Sequence, residues 1–254
     1  MTWSLGLAAW SMGPWVECDA IGGSNSRMLK ERVQLRLQST APIDLAIIMI
    51  GANDATYRYS RVTLGEYKQN VLEALTMLQE AGVTTMVAEI LPVIESYKKQ
   101  QEPWLPPSPN KLIRNYNREL LHAAEATAQK THYIKTFDYF LPHVNTSREA
   151  WVRNHANSKQ SKDGIHPTAQ GVRELAGLYT NAIGELDVDL MEARIVLFGD
   201  SITVTNYLSA SQRMRNQLML QIRRLNSQRE AEAQKVPPPS AESQLPAQSN
   251  EAKQ

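Results

Sequence analysis

Cysteine is nearly absent. Cys18 stands alone among 254 residues, so no internal disulfide is available and a reducing compartment is expected. Net charge is equally scarce. A formal charge of +1 gives no overall field for nucleic acid, and no nucleic-acid partner is expected. No run of about 18 apolar residues occurs, which excludes a transmembrane helix of ordinary length. The apolar opening "MTWSLGLAAWSMG" lacks the basic start of a signal peptide and reads as part of the fold. A cytoplasmic location is the expectation. No internal repeat is visible. What is present is 42% hydrophobic residues, enough for one domain of about 200 residues with a full core, plus extras.

Several apolar runs read as strands of a parallel sheet, which are covered on both faces and need not alternate. They are Trp15–Ile21, Asp44–Ile50, Thr84–Val93, Thr131–Tyr139 and Arg194–Phe198. Helical patterns separate most of them. Thr63 and Glu66 have capping-box spacing ahead of a stripe of Tyr67, Val71, Leu75 and Leu78 that runs to Gly82. Ile113, Tyr116, Leu120 and Ala124 form a second stripe. Pro167 suits the first turn of a third helix. The alternation predicts a three-layer α/β/α sandwich around a parallel sheet.

Four strand-end motifs carry chemistry. "DAIGGSNS" offers Gly22 and Gly23, which let backbone N–H groups approach a ligand. "GAND" offers Asn53, whose amide can donate to a developing oxyanion. "DGIH" spaces Asp163 and His166 to sit together, a carboxylate beside a general base. "GDS" sets Ser201 at a strand-to-helix turn. Each motif alone is ordinary turn or cap chemistry. The C-terminal ends of parallel strands open on one edge of the sheet, where α/β folds bind ligands. Taken together, the four supply nucleophile, base, orienter and oxyanion donors, the parts of an acyl-transfer site.

This set resembles the SGNH or GDSL-type hydrolases, whose hallmark blocks are Gly-Asp-Ser, a lone Gly, Gly-x-Asn-Asp and Asp-x-x-His. "FGDSIT" and "GANDA" look most like the branch of isoamyl-acetate-hydrolysing esterases. The resemblance implies a flavodoxin-like fold and a serine esterase for short acyl esters. Ser201 would be the nucleophile, His166 the base and Asp163 its orienter. The oxyanion hole would come from Gly23, Asn53 and the Ser201 amide. Gly23 is preferred to Gly22 because a Ser or Thr often follows the family glycine by three residues, here Ser26. No cofactor and no metal are expected, and His122, His132, His143 and His155 show no ligand spacing. Asp19 stands where many relatives carry Asn. The alternative reading is a catalytically weak or inactive SGNH fold that serves as a scaffold.

The order of blocks is unusual. The family begins with its serine block, whereas here Ser201 follows His166. The chain therefore reads as circularly permuted, with residues 1–203 forming the domain and Arg194–Phe198 lying between Trp15–Ile21 and Asp44–Ile50. A rival reading gives Ser201 to a second, lost domain. Residues 204–233 hold an amphipathic basic helix, Tyr207–Ala233, with Met214, Leu218, Ile222 and Leu225 on one side. It either docks on its own domain or meets a protein partner or anionic surface. Residues 234–254 read as a disordered Pro-rich tail. Long loops at Glu95–Asn110 and Leu141–Lys162, with Trp104 and Trp151, would shape a pocket for a small acyl-ester substrate.

Overall fold

A computed structural model describes residues 15–39, 41–95, 99, 102–129, 131–144, 164–186, 188, 190, 192–204, 213–233 and 235. Five parallel strands form one sheet: β1 (Trp15–Cys18), β2 (Leu45–Met49), β3 (Thr84–Ala88), β4 (His132–Ile134) and β5 (Arg194–Gly199). Their spatial order is β1-β5-β2-β3-β4. Among the described residues, the last strand in sequence thus lies inside the sheet. Its register pairs Val196 with Glu17 on one side and with Ala46 on the other. Continuous apolarity is the reason it can sit there. Ile195, Val196, Leu197 and Phe198 are all buried, as a strand covered on both faces requires.

Helices cover both faces. On one side pack α1 (Ser26–Leu37), α3 (Leu64–Glu80) and α4 (Pro109–Glu125). On the other pack α6 (Ala169–Gly184) and α8 (Met214–Ala233). Short helices α2 (Ala52–Thr56), α5 (Phe137–Phe140) and α7 (Ser201–Val204) follow strand ends. The expected cap is present, since the Thr63 side chain accepts from the Glu66 N–H. Tyr67, Val71, Leu75 and Leu78 are buried as their stripe predicts.

The expected C-terminal helix begins at Met214, and residues 205–212 lie outside the described residues. It docks on its own domain. Met214, Leu218 and Ile222 are fully buried against α6 and β1, while Arg215 donates to the Val16 carbonyl and Arg229 to that of Gly184. Arg213, Arg223 and Arg224 remain exposed. The apolar side of the helix is therefore consumed by the core. The tail proposed for residues 234–254 falls outside the described residues, Lys235 excepted.

β1 ends at Cys18, short of the expected Ile21, where the chain turns toward the glycine pair, and β3 and β4 stop further still before the ends of their apolar runs. β3 stops at Ala88 although Ile90, Leu91 and Val93 stay buried. The side chain of Asn117 exchanges two hydrogen bonds with Ile90, and Asn110 does the same with Val93. Amide side chains of α4 thus replace a neighbouring strand. The run Thr131–Tyr139 divides into β4 and α5, because Glu89 accepts from the Thr136 hydroxyl and from the Phe137 N–H that opens α5.

Candidate active site

The C-terminal ends of β1, β2 and β5 lie side by side and carry three of the four motifs. Ser201 opens α7 just after β5, at a helix start, where the first amides have no partner within the helix. The fourth motif arrives from the loop ahead of α6. The Gly164 carbonyl accepts from the Ile94 N–H at 2.7 Å, which ties that loop to the chain leaving β3. As a result His166 Nε2 lies 2.7 Å from Ser201 Oγ. Both side chains are half-buried. Asp163 lies outside the described residues, as do Trp151 and His155.

The glycine turn follows β1. Gly23 has φ +81°, a left-handed conformation that favours glycine. A Cβ placed on Gly22 would stand 3.7 Å from Ser201 Cβ, so this turn abuts the serine. Asn53 sits in the first turn of α2, after β2. Its Nδ2 donates to the Ser24 carbonyl at 2.8 Å and faces Asp200 Oδ2 at 3.4 Å. The structure therefore brings Ser201 and His166 into hydrogen-bond contact, and sets Asn53 against the turns that carry Gly23 and Ser201. Asp19, where many relatives carry Asn, forms an ion pair with Arg32 of α1.

Two carboxyls that a motif reading passes over are buried here. Asp54 accepts the Ser26 N–H with both oxygens, at 3.0 and 3.1 Å, and so ties the "GSNS" turn to "GAND". Burial raises its pKa to about 6, against the opposing pull of the Ser26 bonds. Asp200 accepts the Ile202 N–H with Oδ1 at 2.8 Å. Burial lifts its pKa to about 7, a rise that the Ile202 bond and nearby His166 oppose and Asp54 assists. The signal for Asp200 was its residue type: Asp just before a helix start is a preferred N-cap. Asp54 had no comparable signal, because the chain that buries it is 28 residues away at Ser26.

Of the loop aromatics, Trp104 lies under the Arg61 guanidinium, 5.2 Å from ring centroid to Cζ. Much of the second expected loop is outside the described residues. Among the described residues no helix is long and apolar enough to cross a membrane.

The sequence profile of the GDSL-like lipase/acylhydrolase family matches residues 2–174. The chain belongs to that family. It is accordingly a hydrolase of ester bonds. The matched span ends before β5, so that strand and Ser201 after it lie outside the span. Among solved structures, a candidate acylhydrolase from Bacteroides fragilis is 21% identical with a TM-score of 0.50, over 65% of this chain and 72% of that one. An acetylxylan esterase from Geobacillus stearothermophilus is 24% identical with a TM-score of 0.48, over 66% and 71%. At this identity the likeness to the Bacteroides fragilis structure speaks to fold alone. No match was found among curated proteins.

Proposed function

We propose that this GDSL-family hydrolase is a serine esterase of short acyl esters, working through Ser201, His166 and Asp163. The observation that carries the reading is the 2.7 Å contact between His166 Nε2 and Ser201 Oγ. These residues come from opposite sides of a block order the family does not use, yet they meet at hydrogen-bond distance.

In this reading neutral His166 carries its proton on Nδ1 and accepts the Ser201 hydroxyl proton at Nε2. Ser201 Oγ bonds to the ester carbonyl carbon, and the carbonyl oxygen takes the negative charge. The Ser201 and Gly23 N–H groups and the Asn53 amide hold that oxygen. Collapse breaks the bond to the alcohol, which leaves with the proton from His166. Water then repeats the sequence and releases the acid. Asp163 would steady the imidazolium. The permuted order belongs to the same proposal: β5 supplies to this sheet the strand that the family places first.

The test is turnover of p-nitrophenyl acetate by the full chain. Ser201→Ala and His166→Ala should each lower kcat by about 10⁴-fold, with the double variant falling little further, because the residues act as one unit. A folded protein with no turnover anywhere between about pH 6 and 9 would overturn the esterase reading in favour of a scaffold.

A further inference from the structure

Asp200 is the most buried ionisable group at the Ser201 turn, at 1% exposure. Its two oxygens do different things. Oδ1 holds the Ile202 N–H at 2.8 Å and so fixes the start of α7, on which Ser201 sits. The Ser24 carbonyl holds one hydrogen of Asn53 Nδ2 at 2.8 Å, and the other points toward Oδ2 at 3.4 Å, a long contact that leaves this hydrogen available to a closer, charged oxygen. A side-chain amide has a donor end and an acceptor end of nearly equal shape. A flip would turn the Asn53 oxygen toward the other oxygens of the site and abolish its use as a donor. Above about pH 7 Asp200 is ionised; an ionised carboxylate and a carbonyl are both acceptors only, so together they select the orientation with the NH₂ group inward.

We propose that Asp200 is a positioning residue. It locks the donor end of Asn53 toward the oxyanion site and anchors the Ser201 turn, without touching the substrate. This rests on the reading of Asn53 as an oxyanion donor. The groups around Asp200 are consistent with a role beyond folding. A fully buried carboxyl near Asp54 and the buried hydroxyls of Tyr67 and Tyr179 is an unfavourable charge to keep for stability alone.

Asp200→Asn tests this. An Asn at 200 has one acceptor for two donors. Whichever way it turns, it sets an NH₂ against either the Ile202 N–H or the Asn53 amide. The full chain carrying Asp200→Asn should lose about 10-fold or more in kcat with KM held within about 2-fold, while its urea midpoint at pH 8 stays level or rises. Asp200→Ser gives an independent arm, since a Ser hydroxyl can cap Ile202 but is too short to reach Asn53. It should fold and show the same loss confined to kcat. Asn53→Ala alone should lower kcat by about 10²–10³-fold. Adding Asp200→Asn to it should cost clearly less than it does in the parent chain, because the part of its role that runs through Asn53 is already gone. Full kcat in folded Asp200→Asn or Asp200→Ser overturns the inference. So do losses that multiply independently in the double variant. An Asn53→Ala chain with unchanged kcat would instead remove the oxyanion reading itself, and the inference with it.

Discussion

Ending the chain after Glu185 deletes β5 and α8 and should leave no stable fold. The size of the effect follows from burial. Ile195, Val196, Leu197 and Phe198 are each at most 1% exposed. At about 1.5–3 kcal/mol for each fully buried side chain, the strand contributes roughly 6–12 kcal/mol. The whole stability of a domain is about 5–15 kcal/mol. The loss grows when α8 is counted, because Met214, Leu218 and Ile222 leave with it. It also strands β1, whose only strand partner among the described residues is β5. Far-UV circular dichroism under a urea gradient measures this. The 1–185 fragment should show no cooperative transition. In the intact chain, Leu197→Ala should cost about 2–5 kcal/mol, and ending the chain after Ala233 should leave the midpoint unchanged. A cooperative transition for 1–185 would refute the argument and make the C-terminal segment an addition to a complete domain.

Further tests follow from the site. Asp54 and Asp200 titrate in the fold at about 6 and about 7, above an ordinary 3.8. The fold therefore holds their protons more tightly than the unfolded chain does, and their contribution is present below about pH 4 and lost as pH rises through 6 and 7. At about 1.4 kcal/mol per unit, Asp200 alone is worth roughly 4 kcal/mol. Urea midpoints should fall from pH 5 to pH 8, and Asp200→Asn should flatten that slope; a slope unaltered by the substitution would contradict the assignment. Gly51→Ala combines a backbone at φ +122° with a Cβ 2.6 Å from Ile90 Cδ1 and 2.9 Å from the Tyr67 ring. It should cost about 2–6 kcal/mol, from strain and overpacking together, and a midpoint within error of the parent would show that the turn relaxes freely.

The place of β5 was legible in the sequence because two kinds of evidence agreed. "IVLF" is apolar without interruption, and "GDS" directly follows it. That Ser201 and His166 would lie together was legible through motif chemistry that does not depend on chain order. The strand ends were not. Ile90 to Val93 look like more of β3, and only the side chains of Asn117 and Asn110, brought in by α4, divert that backbone. Asp54 was hidden for the same reason, since a turn Asp reads as solvated until Ser26 arrives over it. The docking of α8 was readable as an apolar stripe, but which surface would take that stripe depended on α6 and β1.

An interior strand that comes last in sequence also sets a schedule for synthesis. Gly199 follows Met49 by 150 residues, which at about 5–20 residues per second is roughly 8–30 s of translation. Throughout that interval β1 and β2 both present an unpaired edge to the place β5 will fill. Exposed apolar edges of this kind are templates for pairing with other chains. The nascent protein is thus at its most aggregation-prone for most of its own synthesis, and its yield in a cell will depend on what shields that gap until the final strand is made.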